Sequence, residues 1–309
     1  MYGGDTTCIE VEDGDGNILI FDGGSGIRNC ALNIVNSKWA EKHERVLHIF
    51  GSHEHLDHRS GLPFSCFCFV QPDVFQVKIF GHESFLSSLD ERFGLFSRAS
   101  AGIKYRDTPV NYQIMAAKFE GYELREMESD GTMSPHGPWG VLPIREPIAV
   151  GRTTVRAFEV YHGNTPCLGY VVERGGAKFV FCTDHELRHG SDREHPNQIR
   201  SEAAEARLRR ELQRADMAYM DGQYFMAEYM GIKPIGHASA APRVDWGHSC
   251  VEDVVARAQQ CKVKRTFIGH HDPDREWPEQ MKTDEELAKL CAGKEYKIEL
   301  AKGSTVVDI

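Results

Sequence analysis

A dense run of metal-ligand side chains comes directly after an apolar segment, and it restricts what the chain can fold into. The apolar segment is Val46–Phe50 (VLHIF), which has the composition of a buried strand and ends at Gly51. Residues 52–60 (SHEHLDHRS) follow it immediately. On a helix, His53 and His55 would point about 200° apart and could not share one ion. On a turn after a strand they can converge, so we expect a strand, a sharp turn and a metal site.

The order of strand and helix signals along the chain predicts an α/β fold. Strand signals at residues 6–12 and 17–21 are joined by a DGDG turn that is typical of a hairpin. Because strands come in runs and then alternate with helices, we expect a sandwich of sheets with helices outside. No repeat or linker divides residues 1–309, so we predict a single domain with an inserted loop region at about 94–140. The other signals predict strands at 46–50, 77–80, 153–161, 168–173, 178–182, 217–220 and 265–268, and helices at 31–44, 83–93, 201–214, 251–260 and 283–292.

Three more ligand-type residues stand at the ends of predicted strands. His162 ends the segment RAFEVYH, Asp184 ends FVFCTD, and His270 ends TFIGH. Strands of one sheet deliver the residues at their carboxyl ends to one rim, so we expect these side chains to lie together. Imidazole and carboxylate groups are ligands of zinc, manganese and iron. His270 and His271 are adjacent, and the alternation of side chains along a strand favours His270 as the ligand.

The segment SHEHLDH matches an H-x-H-x-D-H signature, and through it the chain resembles the metallo-β-lactamase superfamily. The resemblance extends to the segments GGDTTCIEV, LIFDGGSGIR, HGNTPCLGYVV, FCTDHE and GHHDP, of which the later ones look most like the phosphodiesterase branch. That branch contains cyclic-nucleotide phosphodiesterase-like proteins and tRNA 3′-end ribonucleases. The resemblance implies a four-layer αβ/βα sandwich with two divalent ions at its rim, Zn²⁺ first and Mn²⁺ or Fe²⁺ as alternatives. It also implies two ligand groups with a shared carboxylate: His53, His55 and His162 for one ion, Asp57, His58 and His270 for the other, and Asp184 for both.

A second pair of residues, Asp221 and His248, lies outside that ligand set. The segments YMDGQYF and WGHSCVEDVVARA resemble the phosphodiesterase-branch pair in which an acidic residue orients a catalytic histidine. Ser249 and Glu252 match a capping box, which predicts a helix whose N-terminus attracts an anion such as phosphate. We therefore expect His248 to act as a general acid, Asp221 to fix its tautomer, and Asp57 to help orient the nucleophile. The alternative interpretation is a helix-capping histidine beside a surface aspartate.

Asp22 follows a buried strand and opens a glycine-rich turn. We expect its carboxylate to bind backbone N–H groups and the metal-binding loop, rather than the substrate. Other polar residues lack a comparable context, and for them we expect positions at the surface or behind the site. These residues are His136, His185, His189, His237 and Asp272.

The composition of the chain limits which binding partners and which cellular location we expect. The 36 basic and 46 acidic side chains give a formal net charge of -10, which argues against a broad nucleic-acid or anionic-membrane surface. A membrane span needs about 18 consecutive apolar residues, and the sequence has no run of that length. The first residues also lack a signal-peptide pattern, so we expect a cytoplasmic protein. The nine cysteines include no CxxC pair, and most of them are expected to be free thiols. A homo-oligomer is compatible with the sequence, which carries no signal for oligomeric state.

Together these patterns favour hydrolysis of a small phosphodiester, linear or cyclic. The positive charge of two divalent ions would exceed the negative charge of Asp57 and Asp184. The predicted site is therefore net positive, although the protein as a whole is acidic. Such a site can activate water and bind phosphoryl oxygens, while His248 protonates the leaving alkoxide. Three alternatives stay open: a thioester, lactone or β-lactam hydrolase on the same fold, a tRNA 3′-end-type nuclease, and a metal-dependent binding protein.

Overall fold

The computed structural model contains two β-sheets with helices packed on them. It describes residues 4–37, 39–96, 114–128 and 132–309. The chain divides into two compact units. The first unit is Asp5–Ala157, and the second is Phe158–Ile309 with Gly4. The single domain expected over residues 1–309 stays a prediction. In the described part of the chain, no helix is both long enough and apolar enough to cross a bilayer.

The first unit contains a six-stranded sheet that is parallel after its N-terminal hairpin. In spatial order the strands are β1 (Ile9–Glu12), β2 (Ile18–Phe21), β3 (Val46–Phe50), β4 (Gln76–Gly81), β5 (Lys118–Arg125) and β6 (Gly140–Pro143). β1 and β2 are antiparallel, as the DGDG turn predicts, and each later pair is parallel. The carboxyl ends of β2 to β6 therefore share one edge. The unit also contains β7 (Ile148–Val150) and the helices α1 (Ile27–Asn36), α2 (Trp39–Lys42) and α3 (Glu83–Phe93).

Both faces of this sheet are apolar in its central strands. On one face, residues such as Ile49 pack with the buried sides of α1 and α3. On the other face, rings at paired positions of neighbouring strands stack with centroid separations of 5.3, 4.9 and 5.0 Å. These rings belong to Phe21, Phe50, Phe80 and Tyr122. Burial on both sides explains why VLHIF is apolar at four of its five positions, with only the half-buried His48 as a polar residue.

The second unit contains the parallel strands that carry the other polar residues. Strand β8 (Thr153–His162) begins in the first unit and ends in the second, and it is followed in space by β9 (Thr165–Arg174), β10 (Ala177–Cys182), β11 (Met217–Asp221), β12 (Arg265–Gly269) and β13 (Lys297–Leu300). β9 and β10 form an antiparallel hairpin, and β10 to β13 are parallel. The helices are α4 (Pro196–Leu212), α5 (Met226–Tyr229), α6 (Val251–Gln260) and α7 (Trp277–Cys291). Helices α4, α6 and α7 contribute buried side chains to one core with this sheet.

The structure confirms the α/β class and corrects parts of the predicted organisation. The helix predicted at 31–44 is two helices, and the first begins earlier, at Ile27. The predicted insertion at about 94–140 contains β5, which pairs with β4 and β6 and is a strand of the sheet. Gly121 and several charged residues interrupt the apolar pattern of β5, which hid it from sequence analysis. Residues 97–113 and 129–131 of that region lie outside the described residues.

The two faces of α1 allow a direct test of the core of the first unit. Ile34 is 3 % exposed and packs in the core, whereas Leu32 on the same helix is 48 % exposed. We expect Ile34→Ala to lower the free energy of unfolding by about 2–5 kcal/mol, because it removes buried methyl groups and leaves a cavity. Leu32→Ala is the matched control and should change it by about 0.5 kcal/mol or less. Urea denaturation measures both, and equal effects would contradict the described packing of α1.

Candidate metal centre

The turn after β3 brings the histidines of the first unit together. β3 ends at Phe50, and the chain runs without helix to a short 3₁₀ turn, Leu56–His58. The ring centroids of His53 and His55 lie 4.5 Å apart, and those of His53 and His58 lie 4.2 Å apart. His53 and His58 are fully buried, whereas His55 is exposed. Three imidazoles therefore converge after a strand, as their spacing predicts.

The buried carboxylate of Asp22 supports this histidine cluster. Asp22 follows β2 and is fully buried. Its Oδ1 accepts the Ser52 backbone N–H at 2.7 Å, and its Oδ2 lies 2.8 Å from the Ser52 hydroxyl and 2.7 Å from His58 Nδ1. Burial raises the pKa of the Asp22 carboxyl, and the contacts with His58 and Ser52 oppose that rise. Because Asp22 takes Nδ1 of His58, the opposite nitrogen Nε2 faces the carboxylate of Asp57, at 3.2 Å.

Four strand ends place polar side chains together in the second unit. His162 closes β8, Asp184 follows β10, Asp221 closes β11 and His270 follows β12. Asp184 Oδ2 lies 3.6 Å from His162 Nε2, and Asp184 Oδ1 lies 3.4 Å from His270 Nε2. The two oxygens of one carboxylate thus face two different imidazoles, which is the arrangement that a bridging ligand needs.

Of the two adjacent histidines after β12, His270 is the one that faces Asp184. His271 is mostly buried, and burial, with Arg275 nearby, lowers the pKa of its imidazole to about 4. The geometry of the second unit therefore favours His270 as the ligand.

His248 and Asp221 form a close pair beside Asp184. His248 Nδ1 lies 3.4 Å from Asp221 Oδ2 and 3.9 Å from Asp184 Oδ2. Burial would raise the pKa of Asp221, but His248 and the Ser249 backbone N–H outweigh that effect and hold the pKa below its usual value. Asp221 is therefore ionised next to the imidazole. Donor atoms of Asp184, His248 and His270 also lie within 4.8 Å of one another, so His248 is close enough to serve as a ligand.

The capping box predicted at the start of α6 is wrong. The N-cap residue of α6 is Cys250, and it makes no side-chain cap hydrogen bond. The Ser249 hydroxyl instead donates to the backbone carbonyl of His185 and accepts a hydrogen bond from Arg257 at 3.0 Å. The carboxylate of Glu252 accepts the first backbone N–H of α5 at 3.0 Å. Ser249 and Glu252 match the sequence pattern of a capping box, but in the structure their side chains form hydrogen bonds with other partners.

Sequence analysis missed Glu186, a buried carboxylate that holds the loop before α6. Its oxygens accept the backbone N–H groups of Gly247 at 2.7 Å and Asp245 at 2.8 Å. The Gly247 carbonyl lies 2.9 Å from His162 Nδ1, so this loop also orients the His162 ring. Gly247 has a φ of 90°, and a Cβ there would lie 1.9 Å from His162 Nδ1, which explains the glycine. The only available signal was the position of Glu186 two residues after Asp184.

The polar residues that lacked a sequence context fall into two groups. His185 and Asp272 are buried, and His185 Nε2 lies 3.0 Å from Glu205, which also pairs with the buried Arg257. The pKa of Glu205 lies well below its usual range, because Arg257 and His185 outweigh the effect of burial. The other three are more exposed histidines that pair with acidic side chains: His136 with Glu123, His189 with Asp253 and His237 with Glu276.

Comparison with known proteins identifies the family. Residues 17–271 match the family model described as the beta-lactamase superfamily domain, so the chain belongs to that family. No curated protein matches the chain in sequence. Similar solved structures include a diphosphatase from the PhnP family (17 % identity, TM-score 0.59, 98 % of this chain and 84 % of that chain).

Two further structures of similar fold are the short form of human tRNase Z, ELAC1, and yeast PDE1. The tRNase Z is 15 % identical, with a TM-score of 0.55 over 100 % of this chain and 95 % of that chain. Yeast PDE1 is 13 % identical, with a TM-score of 0.58 over 96 % of this chain and 93 % of that chain. At these identities the likeness establishes the fold. The metallo-β-lactamase type of αβ/βα sandwich, predicted from the sequence, is therefore confirmed.

The donor groups of each unit fit a divalent metal ion. Proteins of this fold family are metal-dependent hydrolases, and their metals are bound by the imidazole and carboxylate groups that cluster here. In the first unit, Asp22 orients His58 from the side opposite Nε2, as supporting carboxylates do for metal-binding histidines. In the second unit, Asp184 presents one oxygen to each of two histidines. The chain therefore contains side-chain clusters able to bind metal.

The role of Asp22 can be tested against a second buried aspartate in the same unit. We expect Asp22→Asn to weaken metal affinity by about 10–100-fold, because His58 loses the charge that orients it. Asp13 is the matched control, since it accepts hydrogen bonds from Asn17 and Thr153. Asp13→Asn should lower stability and leave metal affinity unchanged. Competition with a chromophoric chelator measures affinity, and equal losses in the two variants would contradict the role of Asp22.

Proposed function

We propose that this protein is a binuclear metal-dependent phosphodiesterase that acts on a small phosphodiester, linear or cyclic. The observation that carries this proposal is the pair of Asp221 and His248 beside Asp184. The His248 side chain is 13 % exposed and can reach a bound molecule, whereas Asp221 behind it is buried. An imidazole that faces an ionised carboxylate, beside the proposed ligands but outside their number, suits proton transfer to a leaving group.

The proposed ligand set is the one that the family resemblance implies, and it binds two divalent ions. Zn²⁺ is the first choice, with Mn²⁺ or Fe²⁺ as alternatives. The convergence of histidines in the first unit and the two-sided contact of Asp184 in the second support this assignment. The proposed ligands are His53, His55, Asp57, His58, His162, Asp184 and His270.

The chain's own residues would perform the proton transfers and the positioning. Bound metal ions supply positive charge for the phosphoryl oxygens and lower the pKa of an attacking water. Asp57 and Asp184 accept hydrogen bonds from that water and orient it. Asp221 fixes the tautomer of His248 through Nδ1. His248 then donates a proton, from the nitrogen opposite Asp221, to the leaving alkoxide.

The charge of the chain and the similar folds support a small phosphorus-containing substrate. A net charge of -10 disfavours a long polyanion, which proteins bind mainly through basic side chains. The similar structures include proteins named as a diphosphatase, a tRNase Z and PDE1. The likeness to tRNase Z keeps a tRNA 3′-end-type nuclease as the second candidate. A thioester or lactone hydrolase remains the third candidate on this fold.

A substrate panel tests the proposed reaction. We expect turnover of bis(p-nitrophenyl) phosphate, or of a 2′,3′- or 3′,5′-cyclic nucleotide, in the presence of Mn²⁺ or Zn²⁺. His53→Ala should lose metal and activity together, because His53 is a proposed ligand. Activity confined to lactones or thioesters would overturn the proposal, and activity confined to a tRNA precursor would favour the second candidate.

Substitution of His248 tests its proposed role as general acid. We expect His248→Ala to keep its metal content and to lose about 10²–10⁴-fold in rate on an ester with a poor alkoxide leaving group. The loss on a p-nitrophenyl ester should be much smaller, since p-nitrophenolate leaves without a proton. Asp221→Asn should show the same pattern more weakly, because Asp221 acts through the imidazole.

A second histidine provides the structural control for this experiment. His195 caps α4 in the same unit by accepting the backbone N–H of Asn197. His195→Ala should lower stability without changing the dependence on the leaving group. An equal rate loss of His248→Ala on both esters would contradict the general-acid role. Loss of a metal ion in elemental analysis would instead identify His248 as a ligand with Asp184 and His270.

A further inference from the structure

A second cluster of ligand-type side chains lies in the second unit, and none of its members belongs to the proposed ligand set. The cluster consists of His189, Cys250 and Asp253. His189 Nε2 lies 2.8 Å from Asp253 Oδ2, and one donor atom from each of the three residues lies within 4.8 Å of the other two. A nitrogen, a sulfur and an oxygen donor therefore converge at one place.

The thiol of Cys250 is the unusual member of this cluster. Cys250 is 1 % exposed, is not in a disulfide, and is the N-cap residue of α6 without making a cap hydrogen bond. Its apolar surroundings include the rings of Tyr224 and Tyr229. Burial raises the pKa of this thiol, and the nearby carboxylates act in the same direction, so it is uncharged when no cation is present. A buried thiol that faces an imidazole and a carboxylate is a potential soft-metal ligand.

We propose that His189, Cys250 and Asp253 bind a thiophilic divalent metal ion of the Zn²⁺ class. The donor set of imidazole, thiolate and carboxylate favours such an ion over Mg²⁺ or Ca²⁺, which prefer oxygen ligands. A thiolate and a carboxylate together neutralise a divalent cation, which lowers the free energy needed to bury the charge. On binding, the S–H bond of Cys250 breaks, a sulfur–metal bond forms, and one proton passes to solvent.

The exposure of the cluster permits an ion to enter. The side chains of His189 and Asp253 are 28 % and 12 % exposed, so two of the three ligand residues are accessible to solvent. Three protein ligands leave a fourth position for water, which is a common arrangement for zinc. The ion would also join the loop after β10 to the segment that carries His248, since Cys250 is two residues after it.

Cobalt substitution tests this site separately from the proposed catalytic centre. None of the seven proposed catalytic ligands is a cysteine, so a thiolate-to-cobalt charge-transfer band in the near ultraviolet does not come from the proposed catalytic centre. We expect Co²⁺ titration of the chelator-treated protein to produce such a band and Cys250→Ser to abolish it. Cys261→Ser is the matched control, because Cys261 is also 1 % exposed and lies at the opposite end of α6. This control should keep the band.

A variant of the more exposed histidine covers the case in which Cys250→Ser does not fold. His189→Ala should fold, as circular dichroism can show, and its affinity for Co²⁺ at this site should fall by at least about tenfold. Absence of the band in the wild type, its persistence in Cys250→Ser, its loss in Cys261→Ser, or unchanged affinity in folded His189→Ala would overturn the proposal. Failure of the proposed phosphodiesterase activity leaves this band unaffected, so the two proposals fail separately.

Discussion

Parallel strand pairing is the constraint on which the polar clusters of this protein depend. Strands β2 to β6 in the first unit and β10 to β13 in the second run in one direction, so their carboxyl ends share an edge within each sheet. The chain leaves three of these ends through left-handed residues, Asp22 (φ 63°), Asp184 (φ 49°) and His270 (φ 50°). Such conformations cost about 1–3 kcal/mol each for residues other than glycine. Tertiary contacts must offset this conformational free energy. Backbone strain of this kind is typical of functional sites.

Buried carboxylates determine where the imidazoles point. Asp22 binds Nδ1 of His58, and Asp221 faces Nδ1 of His248. Glu186 acts on His162 indirectly, because it fixes the Gly247 loop whose carbonyl contacts that ring. For His58 and His162 the opposite ring nitrogen, Nε2, is left to face Asp57 and Asp184. Imidazoles held in this way are already oriented for a metal ion or a substrate, so less conformational entropy is lost on binding.

The segment between β11 and α6 serves several purposes at once. Its residues supply the loop that orients His162, the imidazole proposed as general acid, and the thiol of the second cluster. Ser249 ties this segment to His185 and Arg257, and its backbone N–H binds Asp221. Because so many contacts converge on a few residues, changes there are expected to couple, and single substitutions should be compared with matched controls.

The amino-acid sequence determined the features that depend on short-range order. The strand β3 and the helices α3 and α6 lie where their patterns predict, and the convergence of His53, His55 and His58 follows from their spacing after a strand. The family and its fold were also recognisable, since the SHEHLDH segment is contiguous.

Only the tertiary structure decided the contacts between distant parts of the chain. Ser249 matched a local capping pattern, yet its hydroxyl binds His185, 64 residues away. Glu186 carries no pattern of its own, because its partner Gly247 is 61 residues away. Strand β5 forms in a region without clear periodicity, since pairing with β4 and β6 compensates for its weak apolar alternation. Local propensity acts over a few residues, whereas a buried polar group is satisfied by whichever partner the fold brings within hydrogen-bond distance.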